Sequence, residues 1–396
     1  MSSASGAGMG RYAAAAFTAD YMFYLTYTAV PLKAIALGGG PLILGLLPAL
    51  SSTVYILSAL YFGRIAHPGR RMRMARLGIL TLIAGALALR FAASRVGLLF
   101  VFLPLVPIGG ALFWPAIQAD LGDLGSPDSL GKRIGRFNMS WSSGKMLGFL
   151  TAGHLAQAFG AAAPLGLAAV MGAVLFVLAP WDRERAQTAE PVAEHADVHV
   201  TSRQRSFRIA AWGSNLVAYG VMGTLIYQFP KRVLSLGVRE GTLGSFLALV
   251  QLTQTLTFVC LSRFKGWERR RASLVVPLLV GLVSVAPIVL WRGQGWIFAC
   301  APGVGIALGF SYSSSLYHSL HREADSGRFT GIHEAILGSG GFVLPLMSGA
   351  IAMAAGLAAP YALCAAAFAG AIAFVLHRLR CVGAPQRSPG TSQLAG

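Results

Sequence analysis

The chain carries 14 Asp and Glu residues, and two of them stand apart from the rest: Asp20 and Glu334 lie deep within runs of apolar residues. An ionised carboxylate in such a run costs about 2.5 to 3.5 kcal/mol on insertion scales unless it is paired or faces water. A carboxyl placed at that cost is suited to taking up and releasing a proton as its surroundings change. His333 directly precedes Glu334 and is the third group able to relay a proton there. Lys145 is the one basic residue deep in an apolar run, so a static ion pair with Asp20 is the competing role for that carboxylate.

Further polar and aromatic side chains recur at helical spacing around these groups. Asp20, Tyr24 and Tyr27 follow i, i+4, i+7, and Asn138, Trp141 and Lys145 share a stripe that continues to Gly148. Trp114 with Gln118, Asn215 with Tyr219, and Gln251 with Gln254 repeat the pattern in other runs. Together these predict one buried polar surface that binds a solute. The alternative for any single Asn or Gln is a hydrogen bond between helices.

The elements that must position these residues follow from composition. Apolar residues make up 55% and charged residues 12%, against roughly 25% charged in soluble domains. So few charges could not solvate a soluble protein of 396 residues. A soluble enzyme, a disordered chain and a disulfide scaffold are excluded, and a multi-pass membrane protein remains. Twelve apolar runs of spanning length fit the sequence, at 12–35, 42–63, 77–93, 96–119, 137–158, 161–181, 208–229, 241–262, 272–291, 296–318, 331–354 and 358–377. The expected fold is all-α, twelve transmembrane helices in two six-helix bundles: 1–181, a cytoplasmic linker at 182–207, 208–380, and a flexible tail at 381–396.

Net charge is +18, which in a soluble protein would suggest nucleic acid. Placed on these runs, 24 of the 32 Lys and Arg fall in the N-terminus, even-numbered loops and C-terminus, and 7 in odd-numbered loops. That asymmetry orients both termini to the cytoplasm and accounts for the basic charge without nucleic acid. Residues 1–10 lack the pattern of a cleaved signal peptide. Cys260, Cys300, Cys364 and Cys381 have no paired spacing and read as buried thiols.

The two halves echo one another. Gly135-Arg136-Phe137 recurs as Gly327-Arg328-Phe329, and Gly160 with Pro164 recurs as Gly356 with Pro360. Pro31, Leu37-Gly38 and Gly45 recur as Pro230, Leu236-Gly237 and Gly244, at a nearly constant offset. A six-span repeat with pseudo-twofold symmetry marks a transporter whose halves rock about a central site.

Residues 63–71, Gly63-Arg64-Ile65-Ala66-His67-Pro68-Gly69-Arg70-Arg71, supply the sharpest local motif. The stretch resembles the loop 2–3 signature of the major facilitator superfamily, G-x-L-A-D-R-x-G-R-R, and the six-plus-six layout is similar to that family over essentially the whole chain. His67 stands where the family usually carries Asp, and the stretch is one residue shorter. The resemblance implies a conformational-switch role for Gly63, His67, Gly69, Arg70 and Arg71, and a monomer.

Enzymatic and metal motifs do not complete themselves: Leu337 replaces the second histidine of an H-E-x-x-H at His333-Glu334, and no G-x-x-x-x-G-K-S/T loop occurs. Glu194, His195, Asp197 and His199 lack the spacing of a rigid metal site. The sequence therefore predicts a non-enzymatic secondary transporter of the inner membrane, without cofactor, whose partners are a small-molecule substrate, protons and the bilayer. Aromatics on the first span and a scarcity of Arg point to an amphipathic solute, and the family resemblance implies its export; uptake of a sugar-like solute, or a non-transporting receptor or scaffold with the same fold, are the alternatives.

Overall fold

The computed structural model describes residues 2–65, 68–122, 130–179, 202–264, 266–290, 297–320 and 326–380. His67, most of the linker with Glu194, His195, Asp197 and His199, Cys381 and the tail lie outside the described residues.

Within them all regular structure is helical. In chain order the helices are α1 (Ser2–Ala36), α2 (Pro41–Ile65), α3 (Arg71–Leu87), α4 (Val96–Phe102), α5 (Leu105–Gly122), α6 (Leu130–Phe159) and α7 (Ala163–Leu178). They continue as α8 (Ser202–Tyr227), α9 (Phe229–Ser235), α10 (Glu240–Arg263), α11 (Ala272–Leu290), α12 (Ile297–Leu320), α13 (Ser326–Ala355) and α14 (Ala359–Arg380). Short turns at Pro68–Arg70 and Trp267–Arg269 precede α3 and α11, and a π-turn at Ala88–Ala92 extends α3. In a membrane only helices and closed barrels satisfy their own backbone, which is why apolar runs become helices here.

Nine of the described helices or helix pairs are long and apolar enough to cross a membrane. The three remaining predicted runs fall on α7, a shorter apolar helix, and on α1 and α6, which carry Asp20, Lys33, Asn138 and Lys145 and so dilute their apolarity. The run at 96–119 is divided at Pro104, which has no N–H to extend the ladder, into α4 and α5. Helix α8 begins at Ser202, inside the stretch 182–207 read as linker.

Packing in the N-terminal set recurs in the C-terminal set. Helix α1 lies against α6 and α7, and α8 against α13 and α14. Helix α3 lies against α5 and α7, and α11 against α12 and α14; α2 with α5 matches α10 with α12. One side-chain contact repeats to the residue. Lys33 Nζ donates to the carbonyls of Leu89 and Arg90, at 2.9 Å from Arg90 O. Arg232 Nη2 donates to the carbonyls of Ile288 and Val289, at 3.0 and 3.3 Å. In each case a cation just after Pro31 or Pro230 ties down carbonyls at a helix end, where the backbone has lone pairs to spare and the dipole favours positive charge.

The two sets meet along α2 with α13 and along α6 with α10. Both crossings are built on facing glycines. A Cβ on Gly349 would lie 3.0 Å from Gly45 Cα, and one on Gly244 would lie 2.8 Å from Gly153 Cα, so only glycine admits these backbones so close. Hydrogen bonds cross the same end: Gln228 Nε2 to Pro41 O at 2.9 Å, Lys231 Nζ to Gly39 O at 2.7 Å, and Gly241 N to Gln157 Oε1 at 3.1 Å. This end, where α1 leads to α2 and α13 to α14, is closed. Gly340 on α13 serves the same kind of close packing against Leu216 and Gly220 of α8.

Candidate functional site

At mid-height the helices leave a cavity of about 260 Å³. Asp20 and Tyr24 reach it from α1, Lys145 from α6, Tyr219 from α8 and Glu334 from α13. An adjoining hollow of about 130 Å³ shares those five and adds Gln118, Trp141 and Tyr312. The helical period explains the convergence on α1: Asp20, Tyr24 and Tyr27 share one face, and that face lines the cavity.

The charges are set among aromatic faces. Lys145 Nζ stands 4.5 Å from the Tyr24 ring centroid and 5.8 Å from that of Tyr219, so the ammonium bridges a ring of each helix set. Asp20 lines the same cavity as Lys145. Lys145 is 2% and Asp20 8% exposed, so both charges are held largely away from solvent. Phe23 stacks on Trp114 at 6.2 Å and Tyr219 lies 6.0 Å from Tyr312, which continues the aromatic lining around the site.

Of the residues predicted to bind a solute, Tyr24, Tyr27, Trp114, Lys145 and Tyr219 line the main cavity, and Gln118 and Trp141 line the adjoining hollow. Asn138, Asn215, Gln251 and Gln254 do not. Asn138 Oδ1 accepts from Trp141 Nε1 at 3.0 Å, one turn along its own helix. Gln251 Nε2 donates to Ser142 Oγ at 2.6 Å, in the seam between α10 and α6. Gln254 Nε2 donates to the Tyr219 hydroxyl at 3.5 Å, and Asn215 is fully buried in α8. Gln251 turns toward a neighbouring helix, because packing sets the rotation of α10, whereas Asn138 and Asn215 share the faces of Trp141 and of Tyr219 but sit a turn further along, past the lining residues.

His333 departs from its neighbour. Adjacent residues on a helix point about 100° apart, and while Glu334 reaches the cavity, His333 is fully buried behind it. Its Nδ1 lies 2.7 Å from Ser315 Oγ and its ring packs edge-on to Tyr312 at 5.0 Å. Of the predicted switch residues, Gly63 lies in the last turn of α2, Gly69 and Arg70 in the short turn, and Arg71 opens α3; none of them lines the cavity.

The sequence reading missed Tyr55, Tyr227 and Tyr312, which also line the site. Tyr55 had a signal: Ser51, Ser52 and Tyr55 make a polar stripe on α2. Among the described residues no group of three or more His, Cys, Asp and Glu could hold a metal.

A multi-span helical chain with a charged, aromatic cavity between two helix sets has the architecture of a membrane transporter. The chain belongs to the Major Facilitator Superfamily, whose family model matches residues 12–322. A POT family transporter in complex with a thioalcohol-conjugated peptide superposes with a TM-score of 0.71 at 14% identity, covering 95% of this chain and 96% of that one. A bacterial homolog of the human lysosomal transporter Spinster, inward-facing and unoccupied, gives 0.70 at 16% identity and covers 96% of each chain. Human solute carrier family 67 member A1 is 28% identical over 288 residues, which is 65% of this chain and 66% of that protein.

Proposed function

We propose that the protein is a proton-coupled secondary transporter that exports a small amphipathic organic solute across the inner membrane by alternating access. The observation that carries this reading is that Asp20 and Glu334, one from each helix set, line a single cavity with Lys145 and aromatic rings. A carboxyl there exchanges its proton when the cavity changes sides, and the Tyr24, Trp114 and Tyr219 rings take the apolar body of the solute. His333, hydrogen-bonded behind Glu334, serves as relay in this scheme.

The scheme takes the twelve runs as twelve spans in two bundles related by a pseudo-twofold. The matched helix pairs and the matched Lys33 and Arg232 contacts support it. With the basic loops and both termini in the cytoplasm, the closed glycine end is the outer one, so the cavity stands ready to open inward. Gly63, Gly69, Arg70 and Arg71 lie at the opposite end, the cytoplasmic one in this scheme, and with His67 of the same motif they would latch the other state. The protein acts as a monomer. A sugar-like solute is less well served, because of the predicted amides only Gln118 lines the adjoining hollow, while Asn138, Asn215, Gln251 and Gln254 line neither space.

The test is reconstitution with an interior pH dye. Solutes that raise the thermal stability of the purified protein are expected to move protons across the vesicle membrane in wild type. Binding with no associated proton or solute movement would assign the chain to the receptor class instead.

A further inference from the structure

The chain carries a second hollow, larger than the central one at about 630 Å³, between the last turn of α10, the Trp267–Arg269 turn, the start of α11 and α12. It lies at the end of these helices opposite the glycine crossings. Its wall is apolar, with Phe264, Val276 and Phe310 among the lining residues, and among the described residues Arg270 is the one charged side chain on it. Phe264 is 69% and Val276 51% exposed, so the hollow opens sideways, away from the protein interior. Trp267 forms its roof: the ring packs on Phe310 at 6.4 Å, and Nε1 is already satisfied by Leu261 O at 3.1 Å, leaving an apolar face to the hollow.

Three observations choose the occupant. Helices α10, α11 and α12 each cross the membrane by length and apolarity, so the hollow opens where acyl chains meet headgroups. A cleft of this size with an apolar wall is filled in that setting by hydrocarbon. The rim is basic: Arg263, Arg270 and Arg271 are exposed around the opening, with Glu268 the single acid in the turn. Positive side chains at the headgroup level select anionic over zwitterionic lipids.

We propose that this hollow is a binding site for an anionic glycerophospholipid, with one acyl chain beneath Trp267 and the phosphate at Arg270 and Arg271. The lipid wedges the junction of α10 and α11 on the side of the molecule opposite the closed end.

The full chain is reconstituted in phosphatidylcholine vesicles containing a small fraction of either phosphatidylglycerol or phosphatidylcholine that bears the same photoreactive acyl chain, and labelled peptides are mapped by mass spectrometry. The proposal predicts labelling within 264–280 that is stronger for phosphatidylglycerol, on the order of fivefold for each arginine engaged. Arg270→Gln with Arg271→Gln should bring it down to the phosphatidylcholine level, and Val276→Trp, which fills the hollow, should remove labelling by both lipids. Equal labelling by the two lipids means ordinary boundary lipid and overturns the proposal. Absence of labelling there together with a dimer in the native mass spectrum gives the face to a second copy of the chain and overturns it equally.

Discussion

The closed end and the central cavity of this protein are built on opposite rules. At the closed end the glycine crossings and the cation contacts occur twice: Gly45 against Gly349 and Gly153 against Gly244, Lys33 on the α3 carbonyls and Arg232 on those of α11. Even the helix-ending glycines match, with Gly160 and Gly356 both at φ 87°. In the cavity the duplication is gone. Asp20 and Lys145 come from one helix set, Glu334 and Tyr312 from the other, and no residue repeats its partner's chemistry. The contacts that pack the helices are matched between the two sets, and the residues that line the cavity are not.

The largest expected effect breaks the duplicated side. Leucine at Gly153 or at Gly349 must be accommodated where a bare Cβ already meets backbone within 3.0 Å, costing more than ~3 kcal/mol each. Thermal unfolding of the purified variants should show the two losses to be similar; a large loss at one site and none at the other would mean that the crossings are not equivalent. Next come Lys33→Met and Arg232→Met, each removing charge-assisted hydrogen bonds to helix-end carbonyls and costing roughly 1.5 to 3 kcal/mol. Matching shifts in denaturation are expected, and the pair again tests the duplication.

On the unduplicated side the effect moves from stability to transport. Lys145→Met takes the cation from the Tyr24 and Tyr219 faces and should slow solute flux about tenfold, which is 1.4 kcal/mol on the barrier, with unfolding little changed. A variant that unfolds early but transports normally would return Lys145 to the static role. The smallest effect is that of Gln251→Leu. It loses one buried hydrogen bond to Ser142, about 1 kcal/mol of stability, and should leave solute flux as it was.

How much of this was legible in the sequence follows the same division. The cost of a carboxylate in an apolar run singled out Asp20 and Glu334 without knowledge of any neighbour, and the period on α1 carried Tyr24 and Tyr27 with them. Matching glycines and prolines led to the expectation of a repeat, but not to the packing of these glycines: nothing in the spacing of Gly45 and Gly153 says that each faces a glycine of the other set. Gln251 and Gln254 could not be placed, because packing decides the rotation of α10, and Asn138 and Asn215 could not, because the neighbouring helices decide how far along a polar stripe the cavity reaches. Tyr227 and Tyr312 were invisible for a related reason, since an aromatic ring in an apolar run looks the same whether it meets lipid, core or cavity.

The central claim is that the unduplicated carboxyls couple solute movement to protons and are dispensable for the rocking of the fold. It is tested most directly by Glu334→Gln and Asp20→Asn in proteoliposomes, comparing transport driven by a pH gradient with exchange of solute at equal concentration and no gradient. The account predicts that gradient-driven transport is lost in at least one variant while exchange persists. Undiminished gradient-driven transport in both would contradict it.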